Sequence, residues 1–261
     1  MMAQPVRVMT YNIRYNNPDD GENAWPVRKA EVAALIRFHE ADLFGLQEAL
    51  IGQIEDLQQQ LPEMKWIGVG RDDGKQAGEF SPLFYNATKF NLLQKGWFWL
   101  SETPEEPALG WDAACIRICT WGLFEVKETG KKFCFFNTHF DHRGDKARVE
   151  SAKLILKEIQ KKNPEGLPVI LTGDFNLTPE TEPIKLISAQ LNDAKFSSKE
   201  APYGPEGTFN GFNFNSPLDE RIDYIFVKGP VSVEKFGVLT DSKNQRYPSD
   251  HLPVFAKLLL K

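Results

Sequence analysis

The chain has little cysteine. Cys115, Cys119 and Cys134 are the three it carries in 261 residues, and an odd count without regular spacing argues against a disulfide-stapled scaffold. Cys115 and Cys119 read as thiols on one face of a strand, buried rather than reactive. No Cys/His cluster has zinc spacing, no glycine-rich loop is built to cradle phosphates, and no serine sits on a nucleophile elbow. No apolar run is long enough to span a membrane. Basic runs are missing too: Lys131-Lys132 and Lys161-Lys162 are isolated pairs, and the formal net charge is −5. That balance disfavours a grip on long nucleic acid by bulk charge, although bound cations can reverse the sign locally. Met1-Met2-Ala3-Gln4 lacks the character of an export signal. The compartment stays open between the cytoplasm and export followed by signal removal. No repeat, low-complexity tract or linker divides the sequence, so residues 1–261 are expected to form a single domain, and a monomer.

What is present is ordinary globular material, 41% hydrophobic and 26% charged, with 19 Phe and 6 Trp. Large aromatics suit sheets packed face to face. Val6 to Tyr11 alternates like a strand that ends at Asn12. After a polar loop from Asn16 to Gly21, Asn23 is placed to cap a helix reaching His39. Asp42 to Glu48 reads as a second strand, and a helix over Gln53 to Leu61 follows. The middle is strand-rich: Pro82–Tyr85, Phe90–Leu100, Cys115–Val126 and Phe133–Thr138. The first two read as a hairpin around Asn86-Ala87-Thr88. Gly144 to Lys162 is an amphipathic helix with Val149, Ala152, Leu156 and Ile159 on one stripe. Pro179 to Ser188 is a short helix, and Lys195 to Pro217 a long polar loop. Arg221–Val227, Val231–Leu239 and Pro253–Leu260 are the last strands. Helices alternate with strands at first, but hairpins fill the middle. The pattern predicts an α/β sandwich of two mixed sheets.

The organising stretch is Leu167-Pro168-Val169-Ile170-Leu171-Thr172-Gly173-Asp174-Phe175-Asn176. A buried strand delivers Asp174 and Asn176 at its C-terminal end, where ligand groups of sheet proteins collect. Gly, Asp and Asn are also the commonest turn formers, and this stretch alone leaves both readings open. Other strands end in the same way: at Asn12, at Gln47-Glu48, and at Asn137-Thr138-His139-Phe140-Asp141-His142. Asp223 is enclosed by Ile222 and Tyr224-Ile225, and Ser249-Asp250-His251 precedes the last strand. Each has a dull alternative, a turn residue, a surface charge or a satisfied histidine. Their recurrence at strand ends along the whole chain favours a site. Carboxylates of this kind suit a hard, oxygen-loving cation. A cation, a carboxylate base and imidazoles together fit hydrolysis of a phosphate ester by water.

These stretches, in this order, resemble the endonuclease/exonuclease/phosphatase superfamily. The resemblance rests on Thr10-Tyr11-Asn12, Gln47-Glu48, Thr138 to His142, Gly173 to Asn176, Arg221 to Ile225 and Ser249-Asp250-His251. It implies a four-layer α/β sandwich, two central mixed sheets face to face with helices outside, and a Mg²⁺- or Mn²⁺-dependent phosphoric ester hydrolase. Glu48 resembles the principal metal ligand, with Asn12 beside it, and Asp250 serves the metal or its waters. Asp174 resembles the residue that orients and deprotonates water, and Asn176 the phosphate contact. His251 resembles the imidazole on the scissile phosphate, with Asp223 as its carboxylate partner, and His139 the second histidine of the deoxyribonuclease and sphingomyelinase branches. Arg117, Tyr85 and Phe209 are candidate substrate contacts, and Glu79 a supporting acid. Arg14 and His139 depart from the abasic-site endonuclease pattern. Arg28 and Trp25 read as structural, and Arg143 and Arg148 as solvent-facing. The preferred activity is a phosphodiesterase. Alternatives are a phosphomonoesterase on sugar or inositol phosphates, a nuclease, and a catalytically silent binding module. Nucleic acid is a possible but not favoured partner, and the substrate itself is not legible.

Overall fold

The structure, a computed structural model, describes residues 5–261; the N-terminal reading of Met1 to Gln4 lies outside them. The strand sequences carry apolar residues on both faces, and the architecture uses both. One six-stranded sheet contains β1 (Val6–Asn12), β2 (Leu43–Gln47), β3 (Met64–Ile67), β4 (Leu83–Asn86), β11 (Val231–Val238) and β12 (Val254–Leu260), ordered β11-β12-β1-β2-β4-β3. The other contains β5 (Phe90–Trp99), β6 (Ile118–Val126), β7 (Lys132–His139), β8 (Val169–Asp174), β9 (Asn192–Asp193) and β10 (Asp223–Lys228), ordered β5-β6-β7-β8-β10-β9. Two neighbours, β1–β2 and β7–β8, are parallel. Each is joined by a crossover that contains a helix, α1 (Trp25–Phe38) or α3 (Asp145–Lys162). The remaining pairs are antiparallel, so both sheets are mixed, as the sequence predicted.

Successive strand residues point to opposite faces, which explains the unbroken apolar runs. Val8, Leu43, Phe135, Ile170 and Ile225 face the space between the sheets. Met9 and Phe44 pack outward with α1 and α2 (Ile51–Gln60). Phe136, Leu171 and Phe226 pack outward with α3 and α4 (Glu182–Ser188). Helix, sheet, sheet, helix are therefore four layers with an apolar cluster at each of the three interfaces between them.

A polar bridge joins the sheets just below one end. Asn137 donates to the carbonyls of Leu46 (2.8 Å) and Pro82 (3.1 Å) and accepts from Gln47 Nε2 (2.7 Å) and Thr172 Oγ1 (3.0 Å). Gly45 has to be glycine here, because a Cβ would stand 2.2 Å from Asn137 Oδ1. Most buried polar groups are paired in this way, because an unpaired one costs its lost hydration.

Several local expectations are corrected. β4 and β5 do not form a hairpin. After Asn86 the chain crosses from one sheet to the other, and β4 pairs instead with β2 and β3. The short strand β3 goes unread in the sequence, because four residues are too few to show an alternation. Ala24, not Asn23, precedes α1, while Asn17 caps a 3₁₀ turn over Pro18–Asn23 by accepting from the Asp19 amide (3.1 Å). Cys115 lies outside β6, so it shares no strand face with buried Cys119. Arg148 is half-buried and reaches the Asn176 carbonyl (3.4 Å), whereas Arg143 is exposed. Among the described residues no helix is long and apolar enough to cross a membrane.

Candidate active site

Strand register brings the polar ends to one level. Asn12 lies opposite Gln47 across β1–β2, His139 opposite Asp174 across β7–β8, and Asp174 opposite Asp223 across β8–β10. Two sharp backbone turns then aim the neighbouring side chains inward. Glu48 follows β2 with φ 60°, and Asn176 follows β8 with φ 52°. A left-handed backbone costs a glutamate about 1 kcal/mol or more, so packing on both sides must hold it.

The resulting contacts are tight. Asn12 Nδ2 donates to Glu48 Oε1 (3.1 Å) and to Asp174 Oδ2 (2.9 Å). The other Glu48 oxygen accepts from the Tyr15 amide (3.1 Å). Asp174 Oδ1 accepts from the Asn176 amide (2.9 Å). Asn176 Nδ2 reaches His139 Nε2 (3.0 Å) and the Phe140 carbonyl (3.0 Å). His251 Nδ1 lies 2.9 Å from Asp223 Oδ2, and its Nε2 is 3.8 Å from Asp174 Oδ2. His139 Nε2 is 3.5 Å from the same Asp174 oxygen. The Ser249 hydroxyl donates to the Asn12 carbonyl (2.8 Å), and its oxygen stands 3.3 Å from Asp250 Oδ1.

The two imidazoles have opposite charge states for a physical reason. Burial opposes a proton on His251, but Asp223, Asp174 and Asp250 outweigh it, so its pKa is pushed well above the ordinary 6.5. His139 is equally buried, and the guanidinium groups of Arg117 and Arg71 add repulsion, so its pKa falls well below 6.5. The surroundings thus favour the charged form of His251 and the neutral form of His139. Burial, then the charge of Asp223, push the Asp174 carboxyl up to about 7, against the pull of His251 and Asn12. A carboxylate poised there suits proton transfer near neutral pH. Asp174, Asp223 and His251 have ligand atoms within 4.8 Å of one another.

The remaining acids suit a divalent cation. Glu48 and Asp250 supply hard oxygen donors. Burial raises the Asp250 carboxyl, and Glu48 raises it further, a repulsion that a cation would relieve. Asn12 turns its NH₂ toward the carboxylates, and its Oδ1 accepts from the Arg14 amide (3.0 Å); ligation through oxygen would need that amide turned over.

Of the substrate contacts expected from sequence, Phe209 meets the site. Its ring stands edge-on to His251, with centroids 5.1 Å apart. Arg117 is buried behind His139, with Nη2 3.1 Å from His142 Nδ1 and Nε 3.6 Å from Asp141. Its Nε and Nη1 have no hydrogen-bond partner. Tyr85 is a correction: it pairs with Leu43 at the far end of β2 and packs on Phe124 between the sheets, so it cannot reach a ligand here. Glu79 lies 3.9 Å from His139 Nδ1 and 2.6 Å from Arg71. Arg28 spends its guanidinium on the carbonyls of Asn23 (2.8 Å), Arg14 (2.7 Å), Pro248 (3.2 Å) and Ile13. Sequence reading missed Thr208, whose Oγ1 accepts from the amides of Ile222 and Asp223 (both 3.1 Å), and Asn210, which donates to the Ser249 carbonyl (3.1 Å). Both are loop residues without a periodic pattern to expose them.

Comparison with known proteins fits this geometry. The mannosyl-6-phosphatase of Bacteroides thetaiotaomicron is 43% identical, with TM-score 0.94 over 97% of this chain and 99% of that one. An endonuclease/exonuclease/phosphatase of Bacteroides vulgatus is 42% identical, with TM-score 0.94 over 99% and 100%. Nocturnin of Rattus norvegicus is 26% identical over 95% of this chain and 64% of its own length. The chain spans about half the length of the curated relatives it matches, from 40% to 64%. The model of the Endonuclease/Exonuclease/phosphatase family matches residues 9–251, from β1 to His251, and the chain belongs to that family.

Proposed function

We propose that this protein is a divalent-metal-dependent hydrolase of small phosphate esters, with phosphomonoesters of a sugar as the preferred class. The observation that carries the reaction is the convergence of Asp174, Asn176, His139 and the His251–Asp223 pair beside Glu48 and Asp250. Asp174 takes the proton from the attacking water. Asn176 and cationic His251 hold the phosphoryl oxygens, and their donors match the charge that develops there. Neutral His139 adds a further polar contact. Glu48 and Asp250, with Asn12, would hold a Mg²⁺ or Mn²⁺, which supplies charge neutralisation at the phosphoryl group when bound.

Two observations support the substrate class. The likeness at 43% identity is to a protein titled mannosyl-6-phosphatase. The connections at the site end, such as residues 13–24, 68–82, 100–117 and 207–222, carry more acids than bases. Such a rim disfavours a polyanion and tolerates a neutral sugar body. This moves the preference from the diester expected on sequence to a monoester. A diester remains the second reading, favoured by the likeness to the CCR4-Not complex 3'-5'-exoribonuclease subunit of Mycosarcoma maydis and by the second imidazole at the site.

The test is a panel assay after metal stripping. Mannose 6-phosphate, other hexose phosphates, inositol phosphates, nucleotides and a chromogenic diester are compared with and without Mg²⁺ or Mn²⁺. Turnover of a hexose phosphate that vanishes with chelator is expected. Metal-independent turnover would refute the mechanism, and faster diester turnover would refute the substrate class.

A further inference from the structure

Arg14 places a fixed positive charge beside the two acids assigned to the metal. Its backbone is left-handed, φ 54°, and this turn brings the side chain back over the end of β1. The guanidinium is clamped by Asp20 through two hydrogen bonds of 3.1 Å. It also covers the Tyr15 ring, 4.6 Å from its centroid. Held there, Nη1 lies 4.0 Å from Glu48 Oε2 and Nε lies 4.0 Å from Asp250 Oδ2. These distances are too long for hydrogen bonds but short enough for strong Coulomb attraction. Asp20 thus holds the charge just outside contact with both acids.

We infer that Arg14, tethered by Asp20, is a built-in counter-charge that sets the divalent-ion affinity of this site. This rests on the metal-dependent reading above. The guanidinium stabilises the Glu48–Asp250 pair when no ion is bound and repels an incoming ion, and both effects reduce the gain from binding. Asp20 has the opposite influence. It neutralises part of the guanidinium charge and restrains it from closing onto Glu48 and Asp250. Replacing Arg14 and replacing Asp20 must therefore move ion affinity in opposite directions. If the pair were only a loop staple, supported by the bond from Asn17 Nδ2 to Asp20 (3.0 Å), both replacements would loosen the same loop and move affinity the same way.

The test titrates Mn²⁺ into metal-stripped protein and counts free ion by electron paramagnetic resonance, with Mg²⁺ calorimetry alongside. Arg14→Gln is expected to tighten binding roughly three- to tenfold, the effect of a unit charge several ångström away in a partly hydrated medium, and to lower the melting temperature of the metal-free protein. Asp20→Asn is expected to weaken binding by a similar factor. Arg14→Lys keeps the charge but not the two-bonded clamp, and is expected to stay closer to wild type than Arg14→Gln does, which separates charge from folding. Unchanged or weaker binding in Arg14→Gln, or a shift of both variants in one direction, overturns the inference. Ion binding that ignores Arg14 while KM for substrate rises overturns it as well, by making Arg14 a substrate contact. No ion binding in any variant sinks the metal reading itself, and this inference with it.

Discussion

Replacing Asp223 by Asn tests whether the imidazole and its acid act as one unit. The side chain keeps its size and loses its charge. In the native chain His251 Nδ1 lies 2.9 Å from Asp223 Oδ2, and both residues are buried. Breaking a buried ion pair by removing one partner costs about 3–5 kcal/mol. If that interaction serves the transition state, about 1.4 kcal/mol per decade of rate translates it into a loss of roughly two to four orders of magnitude in kcat. The variant has a characteristic pH response. Without the Asp223 charge the His251 pKa falls, held up against burial only by Asp174 and Asp250, so the imidazolium is lost at lower pH than in wild type. The same change removes the charge that raises the Asp174 carboxyl, so both shifts make the ratio of variant to wild-type rate rise toward acid pH, and taking the ratio cancels the titrations that Asp223 does not touch. The assay is steady-state hydrolysis of the best substrate by wild type, Asp223→Asn, His251→Ala and the double variant. A coupled pair makes the double variant about as slow as either single one. Losses that multiply independently, or a pH-independent ratio, would refute the pairing.

Asp174→Asn is expected to lower turnover by roughly two to four orders of magnitude, the usual worth of acid–base catalysis. Urea unfolding should show no loss of stability, since the change removes a carboxylate that burial and Asp223 disfavour; wild-type turnover would return Asp174 to the status of a turn residue. Asp141 gives a stability prediction. Burial tends to raise its carboxyl, but the amides of Gly144 (2.7 Å), Arg143 (2.9 Å) and Ala114 (3.0 Å), with Arg117, hold its pKa at about 2 against an ordinary 3.8. That shift contributes about 2 kcal/mol of stability near neutral pH. The contribution is present above the unfolded pKa and is lost as pH falls through the folded one. Asp141→Asn should be less stable than wild type by about that amount near neutral pH, with the gap closing between about pH 4 and pH 2; a gap independent of pH would refute the account. Supercoiled plasmid at physiological salt should be nicked slowly or not at all, because the acidic rim repels a polyanion. Rapid nicking abolished by Glu48→Gln would instead indicate a deoxyribonuclease.

The sequence by itself determined which residues could gather at the site and which faces of the strands are buried. Apolar runs such as Val169 to Leu171 ending in Gly173-Asp174 are legible because strand period and turn chemistry act over a few residues. Asn12, Glu48, His139, Asp223 and His251 are visible for the same reason, each at the end of such a run. Tertiary structure decided what local signals cannot carry. Tyr85 and Phe90 look alike as strand aromatics, yet β4 and β5 belong to different sheets, because pairing partners lie elsewhere in the chain. Tyr85 accordingly went to the core. The charge states were likewise undecided by residue type. His139 and His251 are both buried imidazoles, and only their neighbours, Arg117 and Arg71 for one and Asp223 and Asp174 for the other, push them in opposite directions. Arg14 is an ordinary loop arginine until Asp20 clamps it beside Glu48 and Asp250. Desolvation and charge–charge energy depend on distances between strands far apart in sequence, and those distances exist only in the folded chain.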